Sequence, residues 1–172
     1  MNPVERVIKM RECSRVERCH TLPHHGSYTD GQHSHDMVSL YLVLCPEPSL
    51  EVVKAIHVHD YGERWCGDMP APTKWAEPDL GRLLQRLEEG CVQRLGFETT
   101  LTTTELEWLK ALDGLEVFLW ANDQVAMGNR NAQNVIDNIN LNFQTAKLPQ
   151  PVRDFLRDYQ WTRTSDLLNN PK

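Results

Sequence analysis

Ser49-Leu50-Glu51-Val52-Val53-Lys54-Ala55-Ile56-His57-Val58-His59-Asp60 is the stretch on which the fold decision rests. Ser49 is a helix-capping residue, Glu51 and Glu47 favour the positive end of a helix, and Val52, Val53, Ile56 and His59 recur on one side at helical spacing. The helix therefore runs from Leu50 to His59, and its buried side ends on an imidazole followed at once by a carboxylate. Beyond it, Tyr61 to Pro78 carries Gly62, Gly67, Pro70, Pro72 and Pro78. That irregular segment is long for a connector, and long loops of this kind are usually functional or disordered. Trp65 and Trp75 argue against disorder.

Helical signals continue on both sides. Pro3 in a first turn starts a helix that the pattern carries to about Arg18, and a connector with Pro23, Gly26 and Gly31 fills Thr21 to Gln32. An apolar helix follows from His33 to Cys45, stopped by Pro46 and Pro48. Pro78-Asp79 opens another through Leu83, Leu84, Leu87, Val92 and Leu95, ended near Gly96. Thr103 or Thr104 caps the next, which reaches about Gly128, and weaker helices span Ala132 to Thr145 and Pro151 to Trp161. No useful β alternation, repeat or low-complexity block appears. The expected class is all-α, one domain over 1–172, with 162–172 a frayed tail.

At 172 residues the chain is long enough to bury a core without disulfides. Lys plus Arg total 18 against 24 Asp plus Glu, for a net charge of −6. Such a balance is poorly suited to duplex nucleic acid. The longest strongly apolar run, Met37 to Cys45, is too short to span a membrane. Five cysteines without short pairs, and an N-terminus without a secretory pattern, lead to the expectation of a reduced, cytoplasmic protein.

All seven histidines, at positions 20, 24, 25, 33, 35, 57 and 59, fall in the first part of the chain. Imidazole is the commonest transition-metal ligand, so the clustering raises the odds of a site. His20, His24, His25 and His57 read equally as surface residues. On the helix after Thr104, Leu106, Leu109, Asp113, Val117 and Trp120 step by three or four along one face. A carboxylate in such an apolar stripe costs several kcal/mol unless it is paired, hydrogen-bonded or metal-bound. It pairs with an arginine such as Arg64, sits at the stripe's edge, or joins His33, His59 and Asp60 as an N2O2 donor set for a divalent transition metal.

The combination of Gln32-His33-Ser34, then His59-Asp60, Glu63 and Gly67-Asp68-Met69-Pro70-Ala71-Pro72 with Lys74-Trp75, resembles the HD-domain phosphohydrolases. Within them it is similar to the subgroup of bacterial 5′-deoxynucleotidases and phage dATP triphosphohydrolases. Asp113 falls where that subgroup places its closing aspartate, and Arg18-Cys19-His20-Thr21 where it carries a phosphate-contacting arginine. The likeness covers roughly Arg18 to Trp120. It departs at Gln32, where a glutamate is usual, and at Cys19, where many relatives have an aromatic residue beside the sugar or base. His35 is a rival to His33.

The resemblance implies a compact HD-domain helical bundle with His33, His59, Asp60 and Asp113 as ligands to Zn, Co or Mn. It implies catalytic work for Glu63 and Asp68, which also leave room for a second divalent ion between them. Arg18, Lys74, Cys19, Thr21 and Pro72 would contact substrate. Trp65 and Trp75 are expected in core packing rather than base stacking, and Cys66 as a small apolar filler. The implied activity is metal-dependent hydrolysis of deoxynucleotides to the deoxynucleoside, with removal of triphosphate from dATP or another dNTP favoured over dNMP hydrolysis. A non-catalytic metal-binding or nucleotide-sensing module is the alternative. The expected protein is a homo-oligomer, dimer to hexamer, working in the host cytoplasm if phage-encoded.

Overall fold

A computed structural model describes residues 1–169, with side chains through Tyr159. The helices are α1 (Pro3–Cys13), α2 (Asp30–Leu44), α3 (Leu50–Val58), α4 (Glu63–Cys66), α5 (Ala71–Ala76), α6 (Pro78–Leu95), α7 (Thr103–Ala126), α8 (Gln133–Thr145) and α9 (Gln150–Asn169), with a 3-10 turn at Arg130–Ala132. Among the described residues there is no strand, and no helix is long and apolar enough to cross a membrane. The all-α expectation holds. Residues 170–172 of the expected frayed tail lie outside the described residues, and the α9 backbone is helical through Asn169.

α7 is the axis of the fold, packed against α2, α3 and α8, while α2 also packs on α3. Leu112, Leu115 and Ala121 of α7 meet Met37 and Tyr41 of α2, Val52 and Ile56 of α3, Ile136 of α8 and Val152 of α9 in one core. Fully burying one such aliphatic side chain stabilises by roughly 1.5–3 kcal/mol. These contacts, rather than helix propensity, therefore fix how the helices sit. A smaller cluster of Cys13, Val58, Tyr61, Cys91 and Leu95 ties α1 and α6 to the end of α3.

Ser49 accepts from the Val52 amide as the α3 cap, and His59 ends that helix in helical geometry. Gly96 closes α6 with φ +72°, a conformation only glycine adopts freely. The cap of α7 is Thr102 rather than Thr103 or Thr104: its hydroxyl accepts from the Glu105 amide, and the Glu105 carboxylate accepts from the Thr102 amide.

Three expectations need correction. α1 stops at Cys13, not Arg18, because the chain beyond it pairs with residues 28–30: the Arg18 amide donates to the Tyr28 carbonyl and the Asp30 amide to that of Val16. Gly31 comes so close to Ser14 that a Cβ there would lie 2.8 Å from the Ser14 carbonyl oxygen. Secondly, the segment from Tyr61 to Pro78 is not wholly irregular, since it folds into α4 and α5. Thirdly, the buried face of α7 is set by Trp108, Leu112 and Leu115, while Leu106 is 41% exposed. α7 is apolar on several sides, and the neighbours α2 and α8 choose which side is covered.

Candidate metal centre

The end of α3, the first turns of α2 and the middle of α7 meet at one point. His33 Nε2 lies 3.2 Å from Asp113 Oδ1 and 3.9 Å from Asp60 Oδ2, and His59 Nε2 lies 2.9 Å from Asp60 Oδ2. Both nitrogens are buried and neither has a well-formed hydrogen bond. His33, His59 and Asp60 offer ligand atoms within 4.8 Å of one another. Two imidazole lone pairs and two carboxylates aimed at the same space would otherwise leave buried acceptors unsatisfied, and this is the donor set that Zn, Co or Mn accepts. His35 is exposed and does not enter the cluster.

Each imidazole is oriented from behind. His59 Nδ1 donates to the Ile56 carbonyl at 2.8 Å. His33 Nδ1 contacts the Glu116 carboxylate, which also accepts from the Tyr28 hydroxyl. A carboxylate on the far nitrogen fixes the tautomer, presents Nε2 as a lone pair and raises its basicity. Burial alone would lower His33, but the Asp113 and Glu116 carboxylates beside its two ring nitrogens outweigh it and raise the pKa. Burial works in the same sense on His59, yet the adjacent Asp60 lifts it to about 9. Asp60 itself is held well below the usual carboxylate range, against its burial, by His59 and Arg18.

Asp113 is at the edge of the apolar side of α7, with its side chain 47% exposed, rather than within the core stripe. Its arginine neighbour is Arg18 at 3.9 Å; Arg64 instead pairs with Glu12 at 2.5 Å. Arg18 is buried, and its guanidinium donates to Asp60 and, at 3.2 Å, to Asp30. The expected phosphate fork is thus anchored between the carboxylates of Asp60 and Asp30. Asp30, Asp60 and Glu63 form a second cluster of acidic oxygens. Burial, then the charge of Asp60, raises Asp30 to about 6, and burial with Asp60 and Asp30 raises Glu63 to about 10. Glu63 Oε2 is enclosed and has no hydrogen-bond partner.

Asp68 is used differently from the expected sharing of an ion with Glu63. Its carboxylate accepts the Cys19 amide at 2.8 Å, holding Cys19 at φ +52°. A non-glycine residue in that region costs of order 1–3 kcal/mol, so the bond secures a strained turn next to Arg18. Burial and the Asp68 charge push the Cys19 thiol up to about 11. A cleft of about 490 Å³ opens over these groups, and Arg18, Cys19, Thr21, Pro72 and Lys74 all line it together with Glu63. Trp75 also lines it and is 55% exposed; Trp65 is 50% exposed and stacks under Arg64 at 4.1 Å. The core-packing expectation fails for both: Trp75 faces the cleft, and Trp65 lies at the surface among Tyr61, Arg64 and Arg94. Cys66 is likewise exposed, not a filler. His20, His25 and His57 are exposed, while His24 packs edge-on against Trp120 at 5.6 Å.

Sequence reasoning missed Asp30, Tyr28 and Glu116. Glu116 had a signal: it stands one turn beyond Asp113 on the same helix side. Replacing Glu116 with Ala should weaken Zn binding by about 10- to 100-fold, read by isothermal titration, because His33 loses the group that orients it.

No family model matches the chain, and no curated protein sequence matches it. Among solved structures it is similar to an HD phosphohydrolase (DatZ) of cyanophage S-2L, determined with dA and one catalytic Zn2+ ion. The TM-score is 0.68 at 20% identity, over 95% of this chain and 96% of that one. It is also similar to the PH0347 protein of Pyrococcus horikoshii OT3, with TM-score 0.66 at 16% identity over 90% and 96% of the two chains. The shared fold is that of the HD-domain phosphohydrolases.

Proposed function

We propose that this chain, built on the HD-domain phosphohydrolase fold, is a metal-dependent phosphohydrolase that releases the deoxynucleoside from deoxynucleotides, with a dNTP such as dATP as the favoured substrate. The observation that carries the reading is the pair of buried imidazole nitrogens on His33 and His59, which face carboxylates without forming a well-aligned hydrogen bond to them. They converge with Asp60 and Asp113 beneath a cleft lined by Arg18 and Lys74. Those four residues would hold a divalent ion, which in such a site activates water near neutral pH and polarises a phosphoryl oxygen. The S-2L phage enzyme, bound to dA and Zn2+, supports both substrate class and metal.

The chain's own residues then have distinct tasks. Glu63, buried and with its pKa raised by that burial and by Asp60 and Asp30, lines the cleft, where it would protonate the leaving 5′-oxygen. Arg18 fixes Asp60 from the side and offers its remaining donors to phosphate oxygens. Asp68 keeps the Arg18-Cys19 turn in place. Lys74 lines the main cleft and also a groove of about 660 Å³ on the other side of His59 and Asp60, to which Lys110 adds a second positive charge.

One observation favours 5′-deoxynucleotidase activity on dNMPs as the second reading. Glu88, Glu89 and Glu98 line the same groove as Lys74 and Lys110, and carboxylates there oppose a long phosphate chain. Chromatographic product analysis of dNMPs and dNTPs, incubated with Mn, Co or Zn, tests the proposal: inorganic triphosphate supports the first reading, and phosphate as sole product the second. Substituting Lys74 by Ala should raise KM for dATP about 10- to 100-fold, as for a lost charged hydrogen bond, and leave dAMP hydrolysis nearly unchanged. Equal effects on both substrates would favour the monophosphate reading.

A further inference from the structure

We infer that the asparagine face of α8 reads the nucleobase; the inference rests on the deoxynucleotide reading above and adds the residues that set its selectivity. Across the cleft from the metal ligands, the wall is made by Asn131, Asn134, Asn138 and Asn142, with Val135 and Ile139 between them. The steps of four put Asn134, Asn138 and Asn142 on one side of α8, opposite the buried Ile136, and Asn131 extends the row from the 3-10 turn before it. α8 is brought over the site by a close crossing: a Cβ at Gly114, next to Asp113, would lie 3.0 Å from the Phe143 ring. Asn142 lines the cleft beside Asp113, and the row leads away from it along α8.

The chemistry of this wall is unlike that of the rest of the cleft. Arg18, Lys74, Asp60, Glu63, Asp68 and Asp113 are charged, whereas the α8 side of the lining holds no ionisable group. A neutral wall with alternating amides and aliphatic side chains suits the uncharged end of a nucleotide. A carboxamide offers an acceptor and donors side by side and pairs two-pronged with a base edge that presents a donor next to an acceptor, as the amino group and ring nitrogen of adenine do. On its N7–O6 edge guanine presents two acceptors, which call for a cation that this wall lacks. Val135, Ile139 and Pro72 supply apolar surface for the ring.

Changing Asn134 and Asn138 to Ala together tests the inference, and Ala raises helix propensity, so the fold is not at risk. With the Mn-loaded enzyme, kcat/KM is measured for the four dNTPs and dNMPs, and hydrolysis of base-free bis(4-nitrophenyl) phosphate is followed alongside. The double variant should narrow the spread of kcat/KM across the bases by about tenfold, mainly through KM for the adenine substrate, with the base-free rate unchanged. An unchanged spread, or an equal loss on the base-free substrate, overturns it. If the parent protein hydrolyses the base-free ester but no deoxynucleotide, the substrate reading itself fails and the inference with it.

Discussion

His59→Ala and Asp113→Ala are each expected to leave the protein without a bound divalent ion and without hydrolytic activity, while far-UV circular dichroism stays near that of the parent. The proposed ligands come from three helices that have their own reasons to fold. His59 terminates α3 after the buried Val52, Ala55, Ile56 and Val58, and half-exposed Asp113 contributes little to the core of α7. Removing either side chain costs little packing, but it leaves three donors where a tight transition-metal site needs four protein or water ligands held in place. Metal content by inductively coupled plasma mass spectrometry, set beside the circular dichroism, checks this. Full occupancy in Asp113→Ala would remove that aspartate from the ligand set.

The second large effect concerns turnover. Glu63→Gln should lower kcat by roughly 10² to 10⁴, the range for a lost general acid or base, with metal content little changed. The substitution preserves shape and polarity at a buried position where burial and the neighbouring carboxylates disfavour a charged side chain, so the amide is well tolerated structurally. What the amide lacks is a proton to give. Steady-state kinetics beside metal analysis separate the two roles: an unchanged kcat assigns the proton transfer to another group, and lost metal makes Glu63 a ligand.

Elements governed by local signals were legible in the sequence. Ser49 before α3, Pro78 at the start of α6 and Gly96 at its end all work through backbone groups a few residues away. The extent of α1 and the buried side of α7 were not legible, because each depends on a distant partner: the 28–30 segment for α1, and α2 and α8 for a helix that is apolar nearly all round. Within the site, His33, His59, Asp60 and Asp113 stood out as chemistry at helix ends or among apolar neighbours. Asp30 and Glu116 did not, since a single acid in a helix usually faces solvent and only the tertiary arrangement buries these two.

The Glu116 carboxylate, shared by Tyr28 and His33, has a consequence for how the molecule assembles. It joins positions 88 and 83 residues apart, and the Arg18–Asp60 pair spans 42. Helical turns close over three or four residues, whereas these polar pairs require whole helices to have docked first, with the loop-closure entropy of each interval already offset. The site is therefore a non-local part of the fold and completes only after the helices that carry it have docked. In hydrogen exchange, the opening that parts α2 from α7 should come before the loss of helix, so chemical competence is the first property this domain gives up as it is destabilised.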